Sequence, residues 1–162
     1  MNKAFSRYSV KDFDNFDCVK LSKTIYLALA FLLRGYLVWL MSVTNMQDRV
    51  GVISWIYPDP ELFYLNLASG FMGVILVFVI SLRRPNASHW VKRVWPHTRT
   101  LIAIACLLDI GVLTGAYLLL QLGDMTSLLL QAVVALFCVA MCYFSKRLAY
   151  NLQEFPEPVP EK

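Results

Sequence analysis

Charge is what this sequence has least of: across 162 residues only 16% are charged while 58% are hydrophobic, against about 25% and 45–50% in ordinary soluble domains. That deficit excludes an ordinary water-soluble domain and points to lipid as the solvent. Cysteine is scarce too. The four residues Cys18, Cys106, Cys138 and Cys142 contain no CxxC, and the last three fall inside long apolar runs. A disulfide framework and a thiolate metal site are therefore not expected, and the three read as small hydrophobes. The only two histidines, His89 and His97, have no third metal ligand nearby and no partnered nucleophile. No glycine loop is suited to cradling phosphate. Asp12, Asp14 and Asp17 lack the glycine turn and final glutamate of an EF-hand. The chain is thus expected to be no enzyme and to hold no metal or cofactor. A cleavable leader is not expected either, because a polar segment of 23 residues precedes the first apolar run, and that run is long enough to span.

What the sequence has is long apolar runs. A membrane-spanning helix needs about 20 apolar residues, and four runs qualify, at 24–43, 62–82, 101–122 and 125–144. Strands of a barrel are excluded, since Val74 through Ile80 is apolar without alternation. The expected fold is an all-α membrane protein, a four-transmembrane-helix bundle. Residues 1–23 form an N-terminal segment, 24–144 the transmembrane domain, and 145–162 a proline-rich, charged tail expected to be mobile.

Orientation follows from the basic residues, which are retained on the cytoplasmic side. Lys3, Arg7, Lys11, Lys20 and Lys23 precede the first run; Arg83, Arg84, Lys92, Arg93 and Arg99 lie between the second and third; Lys146, Arg147 and Lys162 follow the fourth. The loop after the first run has only Arg49, and the hairpin after the third has none. Both termini are therefore expected in the cytoplasm. The net charge of +4 is explained by topology, so no nucleic-acid partner is called for.

Local signals sharpen the loops. Asp59 and Pro60 make a good N-cap and first-turn pair for the second helix. Trp39, Trp55, Tyr57 and Tyr64 suit the outer interface, and Val50 through Tyr57 is apolar enough to dip into it or to cap the bundle. In the cytoplasmic loop, Ser88 is placed to cap a short interfacial helix ending before Pro96, with Trp90, Val91, Val94 and Trp95 on one face. Arg83, Arg84, Trp90, Lys92, Arg93 and Trp95 are candidates for contact with anionic lipid headgroups, each basic group contributing about 1 kcal/mol.

Two charges fall inside apolar runs, Arg34 in the first and Asp109 in the third. Each costs about 2.5–3.5 kcal/mol on insertion scales. With both runs directed outward, the two lie at about 15 Å and 12 Å along their helices, and a buried ion pair linking first and third helices is expected. Ser69 with Gly73, and Gly111 with Gly115, are small-xxx-small pairs expected to pack helices closely within the chain, or alternatively between copies. Asn66, Gln121 and Gln131 are further polar residues suited to bonding between helices.

The order Tyr8-Ser9, Asp12-Phe13-Asp14, Cys18, Leu33-Arg34, Tyr57-Pro58 and Phe63-Tyr64, followed by the basic loop, resembles an uncharacterised family of proteobacterial inner-membrane proteins that includes YfeZ, over about residues 8 to 122. The resemblance implies a bacterial inner (cytoplasmic) membrane and carries no activity or site residues. The expected role is a non-enzymatic structural or accessory component acting through membrane lipids, a membrane-protein partner or a homo-oligomer. A small transporter or permeation-related subunit using Arg34 and Asp109 is the alternative, and a lipid-modifying enzyme working through His89 or His97 is a second.

Overall fold

The structure, a computed structural model, describes residues 18, 20–45 and 48–156, apart from the side chain of Arg49. The expectations for the N-terminal stretch before Cys18, including its three aspartates, and for residues 157–162 lie outside the described residues. Every element among the described residues is helical. The order is α1 (Lys23–Leu32), α2 (Arg34–Thr44), α3 (Arg49–Ile56), α4 (Pro60–Ser81), α5 (His89–Val94), a 3-10 turn (Trp95–His97), α6 (Thr98–Leu120), α7 (Met125–Phe144) and α8 (Lys146–Gln153).

Capping residues set most of these boundaries, because the first amides of a helix have no partner within it. Ser22, Asp48, Asp124 and Ser145 each accept from an amide of the helix they open. Asp59 and Pro60 open α4 as the sequence indicates, but the Asp59 carboxylate makes no capping bond there and instead accepts from the Gly123 amide, 3.3 Å away. Gly123 takes φ +77°, a conformation that favours glycine. The two loops at this end, here called the hairpin end, are thereby tied together.

Three helical stretches are long and apolar enough to cross a membrane: Pro60–Ser81, His89–Leu120 and Met125–Phe144. This is an all-helical membrane protein. The run expected as a continuous first span is broken. α1 and α2 qualify only together, and they are bent by 70° at Leu33, so a straight helix over 24–43 is corrected to two short ones. The physical reason lies opposite. Gly70 leaves room for the Leu32 carbonyl, which would be 2.8 Å from a Cβ there, and Gly73 receives Leu32 and Leu33. The corner of the broken helix sits in the glycine notch of α4. Ser69 and Gly73 thus mark a packing face, as expected of their spacing.

The core is built of small residues that let helices close on one another. Ala28, Ala105, Ala135 and Cys142 are fully buried, and Cys106 and Cys138 almost so. They join Ile25, Leu32, Leu76 and Ile102 in one cluster through α1, α4, α6 and α7. The outward faces are apolar in turn, with Phe71, Phe78, Leu107, Leu119 and Phe137 exposed, as a lipid solvent permits. A smaller cluster of Val38, Tyr57 and Phe63, with Ile53 against it, seats α3 at the hairpin end.

At the opposite, basic end the first part of the segment expected as a mobile tail, residues 145–162, forms the helix α8 over Lys146–Gln153. Its apolar stripe of Leu148 and Leu152 joins the main core, and Asn151 Oδ1 accepts from the Ser22 amide at 3.0 Å while its Nδ2 donates to the Lys20 carbonyl. The sequence expectation weighted the prolines beyond 155 and missed the 3.6-residue spacing before them.

Candidate functional site

Arg34 opens α2 at the bend. From there its Nη2 donates to both oxygens of Asp109, at 3.1 and 2.9 Å, and to Gln131 Oε1 at 2.8 Å. Its Nη1 donates to the Phe31 carbonyl at 3.1 Å, so a cation satisfies a carbonyl at the end of α1. The guanidinium also lies over the Phe31 ring, 4.6 Å from its centroid. Asp109 receives a third bond from Ser69 Oγ at 2.7 Å, and Gln131 Nε2 donates to Ser127 Oγ. The cluster therefore joins the α1–α2 corner to α4, α6 and α7. The ion pair expected between Arg34 and Asp109 is present, with Asp109 1% exposed and Arg34 19%.

A cavity of about 670 Å³ opens at the hairpin end beside this cluster. Arg34, Asn66 and Gln131 line its inner part, Trp55 of α3 lies on its wall, and Asp59 and Asp124 lie where loops close it. Asn66 and Gln131 each stand six residues inside their helices, about 9 Å in. Asn66 is 1% exposed, yet neither its amide nitrogen nor its oxygen has a hydrogen-bond partner. Orphaned polar groups of this kind cost about 1–3 kcal/mol, and native structures hold few. Gln121, also on the wall, is held at φ 56° in the left-handed region, with the following amide, Leu122, closing back on the Ala116 carbonyl. Such a residue is typical of a helix C-cap and stores strain at the cavity wall. Tyr57 sits where burial pushes its phenol above the ordinary value, while the Arg34 guanidinium pulls it down.

The other sequence candidates separate. Gly111 and Gly115 meet no neighbour within 4 Å of a built Cβ, so the close packing expected of them within the chain is not found. Trp95 and Arg83 turn into the protein rather than toward a headgroup. Trp95 is 1% exposed and its Nε1 donates to the Asn151 carbonyl at 2.9 Å. Arg83 lies over the Trp95 ring and donates to the Glu154 carbonyl. The cause is α8, whose docking brings the carbonyls of Asn151 and of its C-cap Glu154 within reach of the two side chains, acceptors that the loop alone lacks. Arg84, Trp90, Lys92 and Arg93 stay exposed, Trp90 beside Phe78 and Lys92 over Phe155. His89 and His97 are both exposed, and no cluster of three or more His, Cys, Asp or Glu suited to a metal occurs among the described residues.

Sequence reasoning placed Ser69 only in packing and Asn66 and Gln131 only among generic polar residues. The signal was present in α4, where Asn66, Ser69, Gly70 and Gly73 share one helical face. A family model described as "Protein of unknown function (DUF2919)" matches residues 8–154, taking in α7 and α8, which lie beyond the residues that carry the resemblance. No curated protein and no solved structure matches the chain.

Proposed function

The chain belongs to this DUF2919 family, and from its geometry we propose that it is a non-enzymatic membrane protein of the permeation-related kind, a subunit that binds a small solute in the cavity ending at Arg34. The observation that carries the reading is the coincidence of three features at one place: a helix broken in the membrane-spanning region, an intramembrane ion pair at the break, and a cavity reaching it from one end. Discontinuous helices with charged groups at mid-depth are how secondary transporters build substrate sites, and intramembrane charges mark solute pathways. The cavity volume falls in the range of about 300–1,000 Å³ for small-molecule sites.

The basic end faces the cytoplasm of a bacterial inner membrane in this reading, with both termini inside, since Lys and Arg concentrate there. The cavity then opens outward. Arg84, Trp90, Lys92 and Arg93 meet lipid headgroups on the cytoplasmic side.

A second reading, a structural or accessory component, is favoured by one observation: the charged groups of Arg34 and Asp109 already find partners within the protein. In that case the pair is a joint and the cavity receives a partner. The two separate in reconstituted vesicles. Solute flux or membrane potential, followed with cationic, neutral and anionic small solutes, would change with Asn66→Ala at constant protein level if the cavity is a solute site. Rates equal to those of protein-free vesicles for every solute would sink the permeation reading.

A further inference from the structure

We infer that the cavity takes a small organic cation, a compound with an ammonium head and an apolar or aromatic body. The inference rests on the solute-binding reading and adds the substrate class. Among the described side chains on the wall, the charged ones are Arg34, Asp59 and Asp124. Arg34 is neutralised by Asp109 at 2.9 Å. Asp59 and Asp124 have no ion pair among the described residues, so the residual field in the cavity is that of two carboxylates. They are close to each other, because Asp59 Oδ2 accepts from the amide of Gly123, the neighbour of Asp124. Each carboxylate spends one bond on a backbone amide and keeps acceptor capacity.

The second observation is Asn66, buried on the same wall with its carboxamide unpartnered. An amide oxygen and two amide hydrogens held ready in a low-dielectric wall are what a polar ligand group replaces water to reach. The remaining wall decides between an ion and an organic molecule. A bare metal ion requires converging oxygen ligands, whereas this cavity is walled by Leu62, Leu113 and Leu130 and by Trp55, an exposed residue. Apolar walls take a carbon skeleton, and an indole face attracts an ammonium.

The test uses the full chain in detergent micelles and isothermal titration with three aromatic probes that differ in the charge of the head group: benzylammonium, whose N–H groups can donate to the Asn66 oxygen, benzyl alcohol and benzenesulfonate. The expected result is saturable binding of the cation at least about tenfold tighter than either other probe. Asp59→Asn with Asp124→Asn should abolish that preference while preserving the tie to the Gly123 amide and the cap of α7, because an asparagine side-chain oxygen accepts from a backbone amide as a carboxylate does. Asn66→Ala should weaken the cation at least about threefold without lowering the melting temperature, since it removes an orphaned polar group rather than a bond. Equal or tighter binding of the alcohol or the sulfonate would overturn the cation assignment and leave a solute cavity. No binding of any probe to protein that melts cooperatively would overturn both.

Discussion

Replacing Asp109 with leucine takes one charge out of a buried place and leaves its partner there. The two halves of the pair are not equal to orphan. After Asp109→Leu the guanidinium of Arg34 keeps Gln131 Oε1 and the Phe31 carbonyl, and it borders the cavity at 19% exposure. After Arg34→Met the carboxylate keeps only the Ser69 hydroxyl, at a position 1% exposed. Breaking a buried pair from one side costs about 3–5 kcal/mol, so Asp109→Leu belongs at about 3 and Arg34→Met at about 5 kcal/mol. The double variant buries no charge, and replacing a whole buried pair by apolar groups is often close to neutral. The coupling between the two sites should therefore be at least about 3 kcal/mol. Thermal unfolding of the purified protein reads it directly, with the milder single variant melting roughly 6–12 °C below the parent and the double variant recovering most of the loss. Singles that add to within about 0.5 kcal/mol in the double would refute the buried pair, and Asp109→Leu proving the more damaging change would refute the exposure argument.

The two kinds of glycine should respond in opposite senses. Gly70→Ala drives a Cβ to 2.8 Å from the Leu32 carbonyl and should cost about 1–3 kcal/mol, while Gly111→Ala meets nothing within 4 Å and should add about 0.5–1 kcal/mol through helix propensity; melting temperatures of the two variants check both. Asn151→Ala leaves the buried Ser22 amide without its 3.0 Å acceptor and should cost about 1–3 kcal/mol, read as faster tryptic cleavage at Lys146 and Arg147 as α8 loosens. Burial raises the Tyr57 phenol above 10.0 against the opposing pull of Arg34, so the folded state holds that proton more tightly than the unfolded chain. Its contribution is present below pH 10 and is lost as pH climbs through the raised value, and Tyr57→Phe should flatten that alkaline decline in a melting series.

Much of this protein was legible in its residues one at a time. Hydrophobic runs of spanning length follow from the cost of unsatisfied backbone in lipid, which leaves helix as the only open arrangement, and three of the four expected runs are long, unbroken helices. The partnership of Arg34 with Asp109 was legible because two opposite charges at matching depth have no cheaper alternative than each other. Three things were decided by tertiary structure alone. The bend at Leu33 depends on where Gly70 and Gly73 of another helix fall, a relation between segments about 40 residues apart that no local signal near Arg34 records. The inward turn of Trp95 and Arg83 depends on α8 supplying carbonyls from across the bundle. The cavity is walled by side chains from segments far apart in the chain, Arg34 at the bend, Asn66 of α4 and Gln131 of α7, and Asn66 acquires its meaning from the volume beside it. Helix formation is set by local backbone chemistry and the solvent, whereas a cavity is set by the mismatch between packed surfaces.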